Sequence, residues 1–201
     1  MEGINTMILN LDRYKGSLVG LAVGDALGST VEFSTPGSFQ PVKEMVGGGV
    51  FQLEAGQWTD DTFMALCLAE SLTMMGGFDP VDQMSRYRKW RQEGYLSSNG
   101  ACFDIGNATA EAITRFGRTG EGYCGSTSPN SAGNGSIMRL SPVPMFFAMK
   151  PQEAIVYSAH SSKTTHAAVE CVDACRLMAA YILAGLYGWS KERMLEPSAF
   201  D

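Results

Sequence analysis

The feature that most constrains the fold is the recurrence of apolar residues at helical spacing, in segments divided by glycine and proline. In residues 8–28 this spacing is carried by Leu11, Tyr14, Leu18 and Leu27. Further helices are predicted at 60–75, 80–93, 104–117, 151–160 and 164–187, and one more element at 189–201. No segment shows the alternation typical of a half-buried strand. The sequence therefore predicts an all-α fold, with residues 1–201 in one compact domain.

Composition argues against two classes of function. Apolar residues make up 45% of the 201 residues, which is enough for a sizeable core. The net charge is -6, from 15 basic and 21 acidic residues, and we see no Lys/Arg cluster, so a nucleic-acid-binding surface is not expected. No segment is long and uncharged enough to span a bilayer, so no membrane association is expected.

The cysteines indicate the compartment. There are five of them, their spacings fit no zinc motif, and the N-terminus does not look like a secretory signal. We therefore expect reduced thiols in a cytoplasmic protein. The cysteines are Cys67, Cys102, Cys124, Cys171 and Cys175.

Glycine recurs every four residues on one face of the first predicted helix, at Gly16, Gly20, Gly24 and Gly28. Because glycine has no Cβ, such a face lets another helix, or a ligand, approach the backbone closely. Close helix packing is the expectation here.

A hydroxyl and two adjacent carboxylates, Thr59, Asp60 and Asp61, stand directly ahead of the apolar run 63–72. Thr or Asp at a helix start ordinarily caps free N–H groups, and acidic first turns suit the helix dipole. Oxygen ligands are also what hard divalent cations require, and Mg²⁺ typically takes one or two carboxylates. The pattern by itself fits either capping or a metal site.

Two further segments place acids where a helix bundle does not need them. Glu32 follows the run Gly-Asp-Ala-Leu-Gly at 24–28, in which Asp25 is expected to hold the helix end. Asp104 and Asn107 lie about one helical turn apart at a predicted helix start. A solvated loop acid at Glu32 and a plain helix cap at Asp104 and Asn107 are the alternatives to a functional role.

Two more segments are suited to an anion. The loop 131–139 contains Gly-Asn-Gly-Ser at 133–136, whose small residues free backbone N–H groups to face a ligand. Residues 162–166 begin the longest predicted helix with Lys163 and His166, which can contact phosphate or ribose. A lone histidine at such a position is otherwise a surface or core residue.

Taken in their order along the chain, these five segments resemble the motifs of the ADP-ribosylglycohydrolase family. The resemblance covers nearly the whole chain, from Gly16 to Met178. The resemblance implies an all-helical enzyme with two magnesium or manganese ions at the base of a cleft. Such enzymes remove ADP-ribose from a modified side chain, which is arginine in the best-known branch.

The resemblance also implies a role for each matched residue. Thr59, Asp60 and Asp61 are implied metal ligands. Glu32 is implied as the base or gate beside the metals, and Asp104 as the acid that reaches the substrate ribose. The residues implied to bind substrate are Asn107, Gly133, Asn134, Gly135, Ser136, Lys163 and His166.

One family motif is absent from this sequence. The second metal half-site of the family is Asp-x-Asp-Thr near the C-terminus, but Glu192, Glu196 and Asp201, the acids after Asp173, form no such motif. Residues 1–201 would then be the N-terminal two-thirds of the family domain, with one ion or none in place of two. Three explanations stay open: a fragment, a short form that binds without turnover, or a site that a second chain or oligomer completes.

Two functions from different classes follow from the resemblance. The first is a metal-dependent hydrolase that releases ADP-ribose, through an N- or O-glycosidic bond, from an ADP-ribosylated protein or a small ADP-ribose derivative. The alternative is a non-catalytic ADP-ribose-binding or partner-binding protein on the same scaffold, inactive because the second half-site is missing.

Overall fold

A computed structural model describes residues 10–196. Within this range the chain forms eight α-helices and two short 3₁₀ turns, Ser29–Val31 and Pro129–Ser131, and its only β-type pairings are two isolated bridges. The helices are α1 Leu11–Gly28, α2 Asp60–Met75, α3 Pro80–Glu93, α4 Asn107–Thr119, α5 Pro142–Phe146, α6 Pro151–Lys163, α7 Val169–Leu186 and α8 Lys191–Met194. The predicted all-α fold is confirmed.

The bounds of α2 and α3 agree with the prediction because both helices carry strong local signals. Asp79 accepts hydrogen bonds from two N–H groups in the first turn of α3, and Pro80 occupies its first position. Gly76 and Gly94 end α2 and α3 in the left-handed conformation, at φ 67° and 66°.

Several predicted bounds were wrong. The helix predicted at 104–117 begins instead at Asn107, because Asp104 has a φ of 56°, outside the helical region. It continues through Gly117 and ends before Gly120, which has a φ of 72°. The helix predicted at 151–160 extends to Lys163.

The helix predicted at 164–187 begins later than predicted, at Val169, and ends at Leu186. The N–H of His166 donates to the carbonyl of Ser162, and the Ser162 hydroxyl donates to the carbonyl of His166. These bonds close a tight turn after α6, so residues 164–168 connect two helices and belong to neither. The sequence analysis also missed α5, a single proline-rich turn.

At the two ends of the chain the described structure only partly tests the prediction. α1 begins after Asn10, whose side chain caps the N–H of Asp12, and residues 8 and 9 of the predicted helix lie outside the described range. The element predicted at 189–201 contains α8, Lys191–Met194. Its residues 197–201 lie outside the described range.

α2 is the central helix, since it contributes to both apolar clusters of the core. Leu68 and Leu72 belong to a cluster shared with α5, α6 and α7. Phe63, Met64 and Cys67 belong to a second cluster shared with α3 and α4. All five side chains are buried, and each large one contributes about 1.5–3 kcal/mol through removal of apolar surface from water. The position of the α2 N-terminus is therefore set by packing on both sides.

The glycine face of α1 does not pack as expected. A Cβ placed at Gly16, Gly20, Gly24 or Gly28 would meet no atom of the described residues within 4 Å. The same helix leaves Val19 59% exposed. In the described part of the chain, α1 contacts α2 and α7 with its other faces. Within that part, no helix combines the length and the apolar character needed to cross a membrane.

Candidate functional site

A cavity of about 280 Å³ opens where the N-termini of α2 and α4 meet the loop before α5. Nine of the twelve predicted site residues line it, although they come from five separate segments of the sequence. They are Glu32, Asp60, Asp61, Asp104, Asn107, Gly133, Asn134, Gly135 and His166. The structure thus brings most of the predicted residues into one cavity, with carboxylates at one end and a glycine-rich loop at the other.

The carboxylate end of the cavity is positioned by Asp25, which lies on α1. Its two carboxylate oxygens accept the N–H and hydroxyl of both Thr59 and Thr62, at 2.6–3.1 Å. Thr59 makes no side-chain cap of its own helix, so Asp25 caps α2 from another helix. Asp60 and Asp61 occupy the first turn of α2 and face the cavity. The expectation that Asp25 holds a helix end fits this geometry, but the helix it holds is α2.

The left-handed backbone of Asp104 directs its side chain toward Glu32. The preceding residue, Phe103, anchors this turn by packing its ring against Phe51 and Phe63, with centroids 5.4 and 5.3 Å apart. Besides desolvation, a hydrogen bond between the carboxyl groups of Asp104 and Glu32, together with their mutual repulsion, contributes to the raised pKa of Asp104. Sequence spacing alone did not predict this pair, because its members lie 72 positions apart.

Burial and mutual repulsion raise the pKa of the acids in this cavity. Desolvation is the main cause of the raised pKa of Asp60, to about 9, and the charge of Asp104 adds to it. Desolvation likewise raises the pKa of Asp61 to about 6 and that of Asp104 to about 7. No lysine or arginine is among the residues that line the cavity in the described part of the chain. The acids therefore face one another without a neutralising cation from the protein.

At the other end of the cavity, the loop 133–136 is held from beneath by helix side chains. Cys171 of α7 donates its thiol to the carbonyl of Gly133 at 3.3 Å. The hydroxyls of Ser136 and Ser162 are hydrogen-bonded at 2.8 Å, and that of Ser136 lies 3.4 Å from the Cys175 thiol. Both cysteines are buried. They also fix the loop against α7.

His166 closes the cavity beside this loop. It is only 4% exposed, and a Cβ at Gly135 would come within 2.6 Å of its ring. Glycine at 135 is therefore required by the close approach of the imidazole. Desolvation, with the nearby charge of Arg139, lowers the pKa of His166 to about 4. His166 is accordingly neutral near pH 7.

Three predicted residues do not line the cavity. Thr59 is 3% exposed and donates its hydroxyl to Asp25. Ser136 is 1% exposed beneath the loop. Lys163 is the last residue of α6 and does not reach the cavity wall, because the chain turns before His166.

The five cysteines are all free thiols, and the described residues contain no group of three His, Cys, Asp or Glu side chains arranged for a metal ion.

Arg139, for which the sequence motifs predicted no role, contacts the site from behind. It is fully buried, and its guanidinium donates to the carbonyl of Gly135 at 3.0 Å. The available signal was its place in the apolar run Ile-Met-Arg-Leu at 137–140, where an arginine must find internal partners. Thr109 of α4 also lines the cavity and was not predicted.

Comparison with known proteins identifies the family of this chain. The family model described as ADP-ribosylglycohydrolase matches residues 7–199. The ADP-ribosylarginine hydrolase Tri1 of Pseudomonas putida (strain GB-1) is 46% identical over 188 residues, which are 94% of this chain and 50% of that protein. The ADP-ribosyl-[dinitrogen reductase] glycohydrolase of Rhodospirillum rubrum is 36% identical over 162 residues, 77% of this chain and 51% of that protein.

A solved structure described as an ADP-ribosylglycohydrolase-related protein complex superimposes with a TM-score of 0.79 at 42% identity. The match covers 92% of this chain and 59% of that one. The chain spans about half the length of the curated relatives it matches. The family match over almost the whole chain and these identities lead to one conclusion: this chain belongs to the ADP-ribosylglycohydrolase family.

Proposed function

We propose that this protein removes ADP-ribose from a modified side chain, with ADP-ribosylated arginine as the substrate. The observation that carries the proposal is the single cavity in which convergent carboxylates face a glycine-rich loop. Hydrolysis of a glycoside requires carboxylates beside the anomeric carbon, and a diphosphate requires donors that are not blocked by side chains. The relatives named as ADP-ribosylarginine hydrolases support arginine as the modified residue.

The glycine-rich loop and His166 would bind the diphosphate of the substrate. Gly133, Asn134 and Gly135 line the cavity, and Asn134 is exposed enough to contact a ligand. Asn107, at the N-terminus of α4, adds a side-chain amide where the helix dipole also favours negative charge. Lys163 lies outside the cavity wall, so its proposed contact would be with a part of the substrate that extends beyond the cavity.

Asp60 and Asp61, with the hydroxyl oxygen of Thr59, would hold a magnesium or manganese ion. The donor chemistry fits such an ion, since Asp60 and Asp61 present carboxylate oxygens to the cavity and its wall offers them no cation. Thr59 lies behind the wall with its hydroxyl proton donated to Asp25, so only the lone pairs of its oxygen would be available to the ion. A bound ion supplies Lewis-acid stabilisation of developing charge at a coordinated oxygen. The donors present here suit a single ion that keeps several waters.

Glu32 and Asp104 would carry the proton transfers. In the hydrolysis, the oxygen of water forms a bond to ribose C1, and the bond from C1 to the guanidine nitrogen breaks. One member of the pair, as a carboxylate, accepts a proton from the attacking water. The other, as a carboxylic acid, donates its proton to the nitrogen that leaves C1, so the guanidine departs with the C1–N electron pair and one added proton. The remaining negative charge of the cavity stabilises the oxocarbenium character of the transition state.

A second function, ADP-ribose binding without turnover, is favoured by a specific observation. The described residues contain no group of three His, Cys, Asp or Glu side chains arranged for a metal ion. In this case the cavity would recognise ADP-ribose, or a partner that carries it, without catalysis.

The test is to measure ADP-ribose release from ADP-ribosylated arginine by the purified chain, with Mg²⁺ and after chelation of divalent cations. We expect release that requires the cation and is lost in Asp61→Asn. Titration calorimetry with free ADP-ribose separates the two functions: binding without release supports the recognition function. Absence of both binding and release would refute both.

We also propose a cytoplasmic location, on the basis of the five free thiols. Measurement of the redox state of the cysteines in protein isolated under alkylating conditions tests this proposal. Recovery of disulfide-linked chain would contradict it.

A further inference from the structure

Arg139 is a buried cation without a carboxylate partner among the described residues. It is fully buried, and no ion pair within residues 10–196 includes it. Its guanidinium instead donates to the hydroxyl of Tyr87 at 2.8 Å and to that of Thr165 at 2.7 Å, while its Nε donates to the carbonyl of Gly135. A guanidinium has only donors, so every partner must accept from it.

The hydroxyl of Thr165 therefore accepts from Arg139 and must direct its own proton elsewhere. Thr165 is fully buried, and among the described residues its oxygen has one other partner, Nδ1 of His166 at 2.9 Å. If Nδ1 carried a proton, Nδ1 and the Thr165 hydroxyl would both be donors. The hydroxyl proton of Thr165 would then lack an acceptor, at a cost of about 1–3 kcal/mol. The satisfied arrangement has Thr165 donating to an unprotonated Nδ1, which places the imidazole proton on Nε2.

We propose that Arg139 and Thr165 are positioning residues that hold His166 as the neutral Nε2–H tautomer, so that it donates a hydrogen bond to the anionic part of the ligand. This inference rests on the proposed function in one respect: it takes the ligand to be a diphosphate. The assignment of the tautomer itself depends only on the hydrogen bonds of Thr165.

The position of Nε2 suits this role. It lies beside the glycine-rich loop, 3.7 Å from the place a Cβ would occupy at Gly133 and 3.1 Å from that at Gly135. No group of the described residues accepts a hydrogen bond from it, and His166 lines the cavity. A neutral imidazole is consistent with its lowered pKa. His166 thus acts as a fixed donor and not as a proton carrier.

The same guanidinium also fixes the orientation of a peptide group in the loop 133–136. Because Arg139 Nε draws the carbonyl of Gly135 toward the protein interior, this oxygen is turned away from the anion that the loop would bind. One buried cation therefore orients two of the groups that surround the ligand, the Gly135 peptide and the His166 ring. It does so from behind the cavity, without lining it.

The test is the tautomer of His166, measured by long-range ¹H–¹⁵N NMR of the chain labelled at histidine. The sequence contains two histidines, so a His160→Gln variant assigns the spectrum. At pH 7 we expect His166 to carry its proton on Nε2. Thr165→Ser, which keeps the hydroxyl, should preserve this tautomer, whereas Thr165→Val should give a mixture. Protonated Nδ1 in the unmodified chain, or identical spectra for all three proteins, would overturn the proposal.

Titration of ADP-ribose into the same proteins adds a second measurement. Thr165→Val should weaken binding by about fivefold, the equivalent of one hydrogen bond, and Thr165→Ser should bind like the unmodified chain. If no protein binds ADP-ribose but the tautomer responds as expected, the positioning role stands and the proposed function fails. If ADP-ribose binds and the tautomer does not respond, the positioning role fails alone.

Discussion

The two adjacent acids at the start of α2 have different surroundings. Asp60 is 7% exposed and faces four other carboxylates, whereas Asp61 is more accessible to the cavity. At the start of α2, the N–H groups of Thr59 and Thr62 donate to Asp25 and not to either of these acids. Both acids line the cavity, where their carboxyl groups can contact a ligand.

Asp61→Asn is expected to weaken Mg²⁺ binding at least about tenfold and to leave the free energy of unfolding within about 1 kcal/mol of the unmodified chain, because it removes a ligand charge but no cap. Calorimetric titration of Mg²⁺ and chemical denaturation measure the two quantities. Asp173→Asn is the matched control, since Asp173 is an exposed acid paired with Arg176. Equal Mg²⁺ affinity in all three proteins would rule out Asp61 as a ligand.

Asn134→Ala is expected to weaken ADP-ribose binding about fivefold, through loss of one hydrogen bond from an exposed side chain on the cavity wall. Asn130→Ala is the control: Asn130 belongs to the same loop region but does not line the cavity. Calorimetric titration compares the two. If both variants retain full affinity, the loop 133–136 does not contact the ligand through this side chain.

At the scale of elements, the contact between α1 and α2 defines the carboxylate end of the site. The four groups that Asp25 accepts lie on two residues, Thr59 and Thr62, at the start of α2. The N-terminus of α2 is thus held from α1 as well as by the core. Any displacement of α1 would move both Asp60 and Asp61.

Asp25→Asn is expected to lower the free energy of unfolding by about 1–3 kcal/mol, because an amide cannot accept as many hydrogen bonds and places its own donor against donors. Asp12→Asn, at an exposed position on the same helix, is the control and should change stability little. Denaturant unfolding measures both. A loss in Asp25→Asn no greater than that in Asp12→Asn would contradict the cap across helices.

Gly20→Ala is expected to raise the free energy of unfolding by about 0.5–1 kcal/mol, since a mid-helix glycine costs backbone entropy and a Cβ there meets nothing within 4 Å. Gly135→Ala is the contrasting variant, because its Cβ would clash with His166 and should weaken ADP-ribose binding. If Gly20→Ala destabilises the protein in solution, another polypeptide segment or a further copy covers this face of α1.

At the scale of the whole molecule, stability at acid pH depends in part on a neutral histidine. His166 has a folded-state pKa of about 4, below its ordinary value of 6.5, because of burial and Arg139. The unfolded chain therefore binds a proton first as the pH falls. The stability that the neutral ring contributes is complete above pH 6.5 and is lost as the pH falls toward 4.

Relative to a His166→Gln variant, the unmodified chain should accordingly lose unfolding free energy between pH 6.5 and pH 4 and show a constant difference above that range. The comparison cancels the titration of the acidic cavity, which both proteins share. Denaturant unfolding at several pH values gives the two curves. Parallel curves across the range would show that His166 is not held neutral in the folded protein.

The helices that could be predicted from sequence are those with local signals. α2 and α3 carry their own stop and start residues, Gly76, Asp79, Pro80 and Gly94, which act within one helical turn. The acids of α2 and the glycine loop were identified through a family resemblance that depends on their order. The start of α4 was misplaced because the left-handed conformation of Asp104 follows from the packing of Phe103, which no local pattern indicates.

The sequence by itself thus determined the helical fold and the order of its segments, because periodicity, capping and turn chemistry act over a few residues. Its resemblance to a known family indicated most of the predicted residues around the cavity. Only the tertiary structure decided which side chains hold the helices and the cavity residues in place. Asp25 reaches Thr59 across 34 positions, and Arg139 reaches Thr165 across 26. Such pairs form only when packed helices bring them together, since a hydrogen bond depends on distance in space and not on separation along the chain.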